Sequence, residues 1–180
     1  MVEMTESLAG RLLVASPALV DPNFFRAVVL LLDHDEQGAF GVVLNRASEE
    51  AVDHHLPAWS LLVSEPPVVF VGGPVEPVMG IALSGGAERG QPAAVEGVKV
   101  VDLTTEPEVV MAPIRIFAGY AGWGASQLEV ELAEDAWIVV AAESVDVFTS
   151  APEDLWAAVL RRQGGRLALL STMPLDPTLN

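Results

Sequence analysis

The sequence predicts a single α+β domain: a sheet whose middle strands are buried on both faces, with helices packed over it. Three observations lead there. Two apolar runs, residues 28–32 and 39–44, flank the polar stretch Asp33-His34-Asp35-Glu36-Gln37-Gly38, the pattern of a hairpin. Both arms are apolar at consecutive rather than alternate positions, so both faces need a cover, and helices are expected on either side. Thr105 with Glu108, Ser126 with Glu129 and Ser150 with Glu153 each have the spacing of a capping box and each announce a helix. At 180 residues the chain can bury one sizeable core, and no shift in composition divides it. Residues 1–7 and 176–180 are expected to be tails.

Along the chain, residues 10–15 read as a strand. Asp21-Pro22-Asn23 follows as a turn or short helical start, since Asp caps well and Pro tolerates the first helical position. After the hairpin, residues 49–62 are expected to be a helix, kinked or broken at Pro57. Residues 68–71 and 79–84 read as strands separated by the turn Gly72-Gly73-Pro74. Residues 85–97 read as a Gly- and Pro-containing loop and residues 98–103 as a strand. A β-branched run with Ile114 and Ile116 then breaks into a glycine-spaced turn, Gly119-Tyr120-Ala121-Gly122-Trp123-Gly124, that leads into an amphipathic helix. Glycine there permits positive φ and close backbone approach, while the two aromatics supply packing. Residues 136–142 form a further buried strand, and Leu155, Trp156, Val159 and Leu160 give the last helix an apolar stripe.

Hydrophobic residues make up 51% of the chain, yet its longest apolar runs, residues 27–32 and 136–142, fall far short of the roughly 18–20 residues a membrane-spanning helix needs. Glu3 and Glu6 at the N-terminus are unlike a secretory signal, so a cytoplasmic protein is expected. The absence of cysteine excludes disulfides, thiolate catalysis and zinc held by sulfur. With 25 acidic and 9 basic residues the formal charge is −16, and the basic residues cluster only at Arg161, Arg162 and Arg166. Phosphate backbones are bound chiefly by Lys and Arg, so direct nucleic-acid binding is disfavoured. Solubility of an unusually apolar chain accounts for the charge more simply than a basic partner does.

Each pattern with a chemical reading has a plainer one. Asp33, Asp35, Gln37 and Gly38 match the first half of a calcium loop, but the twelfth position is Leu44 and the flanks are strands, which leaves a polar hairpin loop. The glycines at 119–124 could cradle a phosphate at a helix start. Their spacing fits neither nucleotide motif, however, and Glu129 and Glu131 already complement the helix dipole, so a packed turn is preferred. Ser84 precedes Gly85-Gly86, but Ala82 stands where a nucleophile elbow wants glycine. The adjacent His54 and His55 cannot face one site from regular structure and read as a solvated helix face. If Leu32 pairs with Ala39 to close the hairpin, Arg26 lies opposite Asn45, where a guanidinium and an amide could hold a carboxylate or merely tie down backbone. His34 then lies roughly 20 Å away, at the other end.

Several elements in order resemble the bacterial YqgE/AlgH family. They are Asp21 with Phe24 or Phe25 and Arg26; His34 before a glycine turn; Gly38 to Asn45, with Gly38 and Gly41; Gly72-Gly73-Pro74-Val75; and Gly119, Tyr120, Gly122 and Trp123 followed by Gln127. The resemblance implies a mixed, largely antiparallel sheet with a small barrel-like part, flanked by helices, and it carries an association with transcriptional regulation. It departs from the family pattern at Ala125-Ser126, where many relatives have Pro-Gly, and near Ser84, where they have a His. The expected function is a non-catalytic binding or regulatory module acting through a protein or small-molecule partner, with no cofactor, metal, direct nucleic acid or membrane. The rival is a small enzyme or binding protein for an anionic or carbonyl ligand, its site gathered from Arg26, Asn45, Gly72 and Gly73.

Overall fold

The computed structural model describes residues 6–86 and 95–175. The hairpin forms as β2 (Val28–Asp35) and β3 (Gly38–Val43), and β1 (Arg11–Ala15) pairs antiparallel with β2. Side-chain alternation sorts these strands into two cores. Leu12, Val14, Val28, Leu30, Val42 and Leu44 face one side, and Leu13, Ala15, Ala27, Val29, Leu31 and Val43 face the other. The first core is closed by the expected stripe on the helix Leu155–Gln163, where Leu155, Trp156, Val159 and Leu160 are all buried. The second is closed by Leu128, from the helix Gln127–Ala133, and by Trp123 and Trp137. Both faces of the hairpin arms are therefore covered, as their consecutive apolar positions require.

The hairpin register differs from the expected one. Leu31 opposes Gly41 but Asp33 opposes Phe40, so Leu32 is an extra residue on its strand and Ala39 pairs with His34 rather than with Leu32. This is a β-bulge, which bends the strand and re-aims the side chains beyond it.

Residues 49–62, expected as one interrupted helix, instead fall in the end of β4 (Ala47–Ala51), the single-turn α1 (Val52–His55) and a 3₁₀ turn at Pro57–Trp59. Pairing with β5 (Val68–Val71) outweighs the helical preference of Glu49 and Glu50, which lie along an edge strand where charge is tolerated. The strand β6 (Val75–Ser84) begins earlier than its apolar run, and β7 (Lys99–Val101) pairs with its end.

The largest difference lies in the glycine-spaced segment, which is strand and not turn: β8 runs unbroken over Ile114–Gly124. Its first part pairs antiparallel with β6 and parallel with β5, and its last four residues pair with β3. It therefore joins two half-sheets, and Gly119 stands between them at φ +73 with β6 backbone on its Cβ side. A side chain there would meet the Gly73 carbonyl oxygen at 2.5 Å. The chain then enters α2 (Gln127–Ala133) through Ser126, and β9 (Trp137–Ala141) lies at the outer edge against β1.

Among the described residues the sheet has nine strands, in the order β4-β5-β8-β3-β2-β1-β9 with β6 and β7 attached through β8. It is mixed and largely antiparallel, with β5–β8 the one parallel strand pair, and it does not close into a barrel. Three short helices complete the α+β architecture after β9: α3 (Ser144–Val147), α4 (Leu155–Gln163) and α5 (Gly165–Leu170).

None of the three expected capping boxes caps a helix. Thr105 bonds back to the Asp102 carbonyl in a turn, and only a 3₁₀ turn follows, at Val109–Met111. Ser150 precedes a 3₁₀ turn at Pro152–Asp154 that runs into α4. Ser126 does stand at the start of α2, but at φ +63 and without a side-chain cap. The reciprocal box is made by Glu143 and Asp146. Of the expected loop and tails, residues 87–94, 1–5 and 176–180 lie outside the described residues, while the Ser7 hydroxyl donates to the His34 carbonyl.

Candidate functional site

The residues expected to form a ligand site are each committed to backbone or packing. Asn45 brackets Ala27: its Nδ2 donates to the Arg26 carbonyl at 2.8 Å and its Oδ1 accepts the Val28 N–H at 2.9 Å. Arg26 shares that end of the hairpin through its backbone, but its guanidinium turns away. It lies over the Trp156 ring, 4.4 Å from the centroid, and donates to the carbonyls of Met173 and Pro174. Burial pulls its pKa below the usual guanidinium value. Gly72 and Gly73 are buried where strands meet, and a Cβ on Gly73 would lie 2.1 Å from the Tyr120 carbonyl carbon. The space a side chain would need at either glycine is filled by main chain.

His34 sits at the other end of the hairpin, buried, and organises that end. Its Nδ1 accepts the Leu8 N–H at 2.9 Å, so Nε2 carries the proton and donates to Glu129 Oε1 at 2.8 Å. Glu129 is held below the usual carboxylate range by a backbone N–H and by His34. The neighbouring Glu131 ties two indoles together: its Oε2 accepts from Trp123 Nε1 and Trp137 Nε1, both at 2.8 Å, while Gln127 Nε2 donates to its Oε1. Trp123, Trp137 and Phe24 stack around this carboxylate with centroid separations of 5.6 to 6.3 Å. Trp123 is thus packed beneath the sheet, on the face opposite Tyr120. Gln127 also accepts the Gly124 N–H at 3.0 Å, which starts α2 in place of a Ser126 cap.

Other sequence patterns are structural as well. Ser84 is fully buried and donates to the Met111 carbonyl while accepting the Gly86 N–H. His54 and His55 are exposed, with His55 paired to Glu50 at 2.9 Å. Within the basic cluster, Arg162 is held bidentately by Asp146 at 2.8 and 2.9 Å. Arg115, which nothing in the sequence singled out, is the largest fully buried side chain; it donates to Thr149, Ser64 and Glu65 and lies 4.2 Å from the Phe70 centroid. Burial lowers its pKa to about 10.

A groove remains on the Tyr120 face, about 600 Å³ in volume, between the tip of the β2–β3 hairpin and the start of β6. Its floor is apolar: Phe40 and Tyr120 meet edge to face at 5.9 Å, with Val75 and Met79 beside them. Gly122 leaves the Tyr120 ring room on this floor, since a Cβ there would lie 3.3 Å from it. The rim carries Asp33, Asp35 and Glu76. Asp33 and Asp35 each accept a backbone N–H through Oδ1, from His34 at 2.9 Å and Gln37 at 2.7 Å, which fixes their carboxylates. The far wall is a bulge: Val75 pairs with Tyr120 and Gly80 with Ala118, so residues 76–79 loop out of the ladder, with Glu76 at φ +44. Val78 on that loop is 97% exposed. Among the described residues no group of three or more side chains is placed to hold a metal ion.

In the sequence Asp33 and Asp35 read as half a calcium loop or, preferably, as a polar hairpin loop, and nothing there singles out Phe40, Glu76 or Met79. Alternation at Asp33 and Asp35 does place two carboxylates on one face of a strand, but their meeting with Tyr120 and the bulge depends on the pairing of β3, β8 and β6.

Residues 12–168 match the AlgH-like family, DUF179. The chain belongs to that family. A UPF0301 protein of Streptomyces coelicolor is 53% identical over the whole length of both chains, and one of Thermobifida fusca is 45% identical over 97% of this chain and 96% of its own. Two solved relatives share the fold. A Corynebacterium diphtheriae protein solved by crystallography has a TM-score of 0.86 at 31% identity and covers 95% of each chain. The solution structure of AlgH from Pseudomonas aeruginosa has a TM-score of 0.67 at 29% identity and covers 98% of this chain and all of that one. No described helix is long and apolar enough to cross a membrane.

Proposed function

We propose that this AlgH-like chain is a non-catalytic binding module that works through the groove between the hairpin tip and the β6 bulge. The observation that carries the reading is the groove's construction: an apolar, aromatic floor, a few oriented polar groups at the rim, and a volume within the roughly 300–1,000 Å³ common for binding sites. Its walls are strands, a strand bulge and the tight β2–β3 turn at Gln37, and sites built on regular elements hold their geometry well. The rival enzyme, acting on an anion or carbonyl, needs donors of Arg26 and Asn45 aimed at a ligand, whereas Arg26 Nη2 and Asn45 Nδ2 are turned to backbone carbonyls. A regulatory role, as the family association implies, then acts through occupancy of the groove. Operator binding by the chain itself is opposed by its charge of −16.

The test is a ¹H–¹⁵N NMR titration of the full chain with small-molecule fragments and short peptides of either charge. Saturable shifts confined to Phe40, Val75, Met79 and Tyr120 are expected. Shifts gathered at Arg26 and Asn45, with turnover of an anionic or carbonyl compound, would replace this reading with the enzyme.

A further inference from the structure

The charge and shape of the groove narrow what can occupy it. Its lining includes the three carboxylates of Asp33, Asp35 and Glu76 and neither lysine nor arginine. Asp33 and Asp35 each use one oxygen on adjacent backbone, and among the described residues no bond claims the other. Fixed carboxylates beside aromatic faces suit a guanidinium or ammonium group, which gains from the charge and from the π-faces of Phe40 and Tyr120 together. The long-range field has the same sign: at −16, the protein draws cations toward the groove and repels polyanions.

The apolar surface extends beyond the groove itself. Val78 is 97% exposed and Met79 45% exposed on the β6 bulge, so an occupant confined to the floor leaves Val78 in water. An extended chain that places a cationic side chain on the floor and an aliphatic one against Val78 covers both. A second copy of this protein fits less well, since each copy brings the same strong negative charge.

We infer that the groove seats a basic, partly apolar segment of a partner protein, an extended stretch with arginine or lysine one or two positions from an aliphatic residue. This rests on the groove's being the binding site. The segment enters across the hairpin tip, its cation between Asp33, Asp35 and Glu76 over Phe40 and Tyr120, and its aliphatic neighbour on Val78 and Met79.

The experiment uses the full chain and a fluorescein-labelled ten-residue peptide alternating arginine with leucine. Its controls are the same peptide with neutral citrulline for arginine, and unlabelled arginine amide. The protein variants are D33N/D35N/E76Q, in which Asn can still accept the backbone N–H groups, and V78S/M79S, which changes only exposed positions on the bulge. The arginine peptide is expected to shift Phe40, Met79 and Tyr120 resonances. Its affinity should fall at least tenfold in D33N/D35N/E76Q and with citrulline, at least threefold in V78S/M79S, and steadily with salt, while both variants keep the wild-type Tm. Equal binding by the neutralised variant, or by the citrulline peptide at the same resonances, would overturn the basic partner yet leave the groove a binding site. Arginine amide binding as tightly as the peptide would replace the partner segment with a small amine. Self-association by sedimentation that D33N/D35N/E76Q abolishes would make a second copy the occupant. Failure of every ligand to shift the groove would remove both this inference and the function it rests on.

Discussion

Replacing Glu131 by alanine removes the acceptor shared by two buried indoles. Trp123 and Trp137 are 6% and 4% exposed, and each donates its N–H to Glu131 Oε2 at 2.8 Å. A buried donor left unpaired costs about 1–3 kcal/mol, and bonds to a charged acceptor are at the stronger end. Glu131 is itself half-buried, so water can enter in place of its carboxylate and recover part of that cost. The expected loss is about 2–4 kcal/mol, a fall in Tm of roughly 5–15 °C for a domain of this size. Glu131→Gln keeps a neutral oxygen in place and should lose only about 1 kcal/mol. Urea unfolding followed by tryptophan fluorescence measures both variants, and the cycle with Trp123→Ala measures the coupling. Trp123→Ala alone should cost about 3–5 kcal/mol through the cavity it leaves. Glu131→Ala within about 0.5 kcal/mol of wild type would show that the clasp contributes nothing. Wild-type stability in Trp123→Ala would refute the packing role assigned to that side chain.

Ser126 occupies a left-handed conformation, φ +63, without a cap bond to offset it, so Ser126→Gly should raise stability by about 0.5–1 kcal/mol in thermal melts; a loss would show that its hydroxyl matters. Gly73→Ala, which drives a Cβ into the Tyr120 backbone, should cost at least about 3 kcal/mol. Gly97→Ala, at φ +80 with nothing within 4 Å, should cost only about 1 kcal/mol, and comparable losses would count against the close-approach argument. Arg115→Met strips the partners from two carbonyls and the Ser64 hydroxyl and should lower stability by about 3 kcal/mol or more in urea titration. The Glu129 pKa is lowered in the folded state, so its contribution is present above the unfolded value of 4.5 and fades as pH falls through the folded one. The stability gap between wild type and Glu129→Gln should therefore be full at pH 7 and shrink below pH 4.5, as denaturation at a series of pH values will read; a gap that persists undiminished at low pH would contradict the His34–Glu129 contact.

The sequence by itself determined the elements whose signal is local. Consecutive apolar positions specified the two arms of the hairpin and its cover on both faces, and the stripe Leu155, Trp156, Val159 and Leu160 specified α4 and its buried side. Hydrophobic burial depends on which residues lie along one element, and that is written in the residue order. Tertiary structure decided what depends on neighbours distant in sequence. The GYAGWG segment reads as a turn because glycine favours turns, but it remains strand because it pairs with β6 and β3, and at Gly119 the backbone of residues 73–77 comes too close for a side chain. Thr105 and Glu108 have the spacing of a capping box, but Asp102 claims Thr105 for a turn. The bulge at Leu32 shifts the hairpin tip by one residue relative to its base, so simple counting could not place Ala39 opposite His34. The groove is of this second kind. Asp33, Phe40, Glu76 and Tyr120 come from four strands, and only the pairing of those strands around β8 brings three carboxylates to the edge of one aromatic floor.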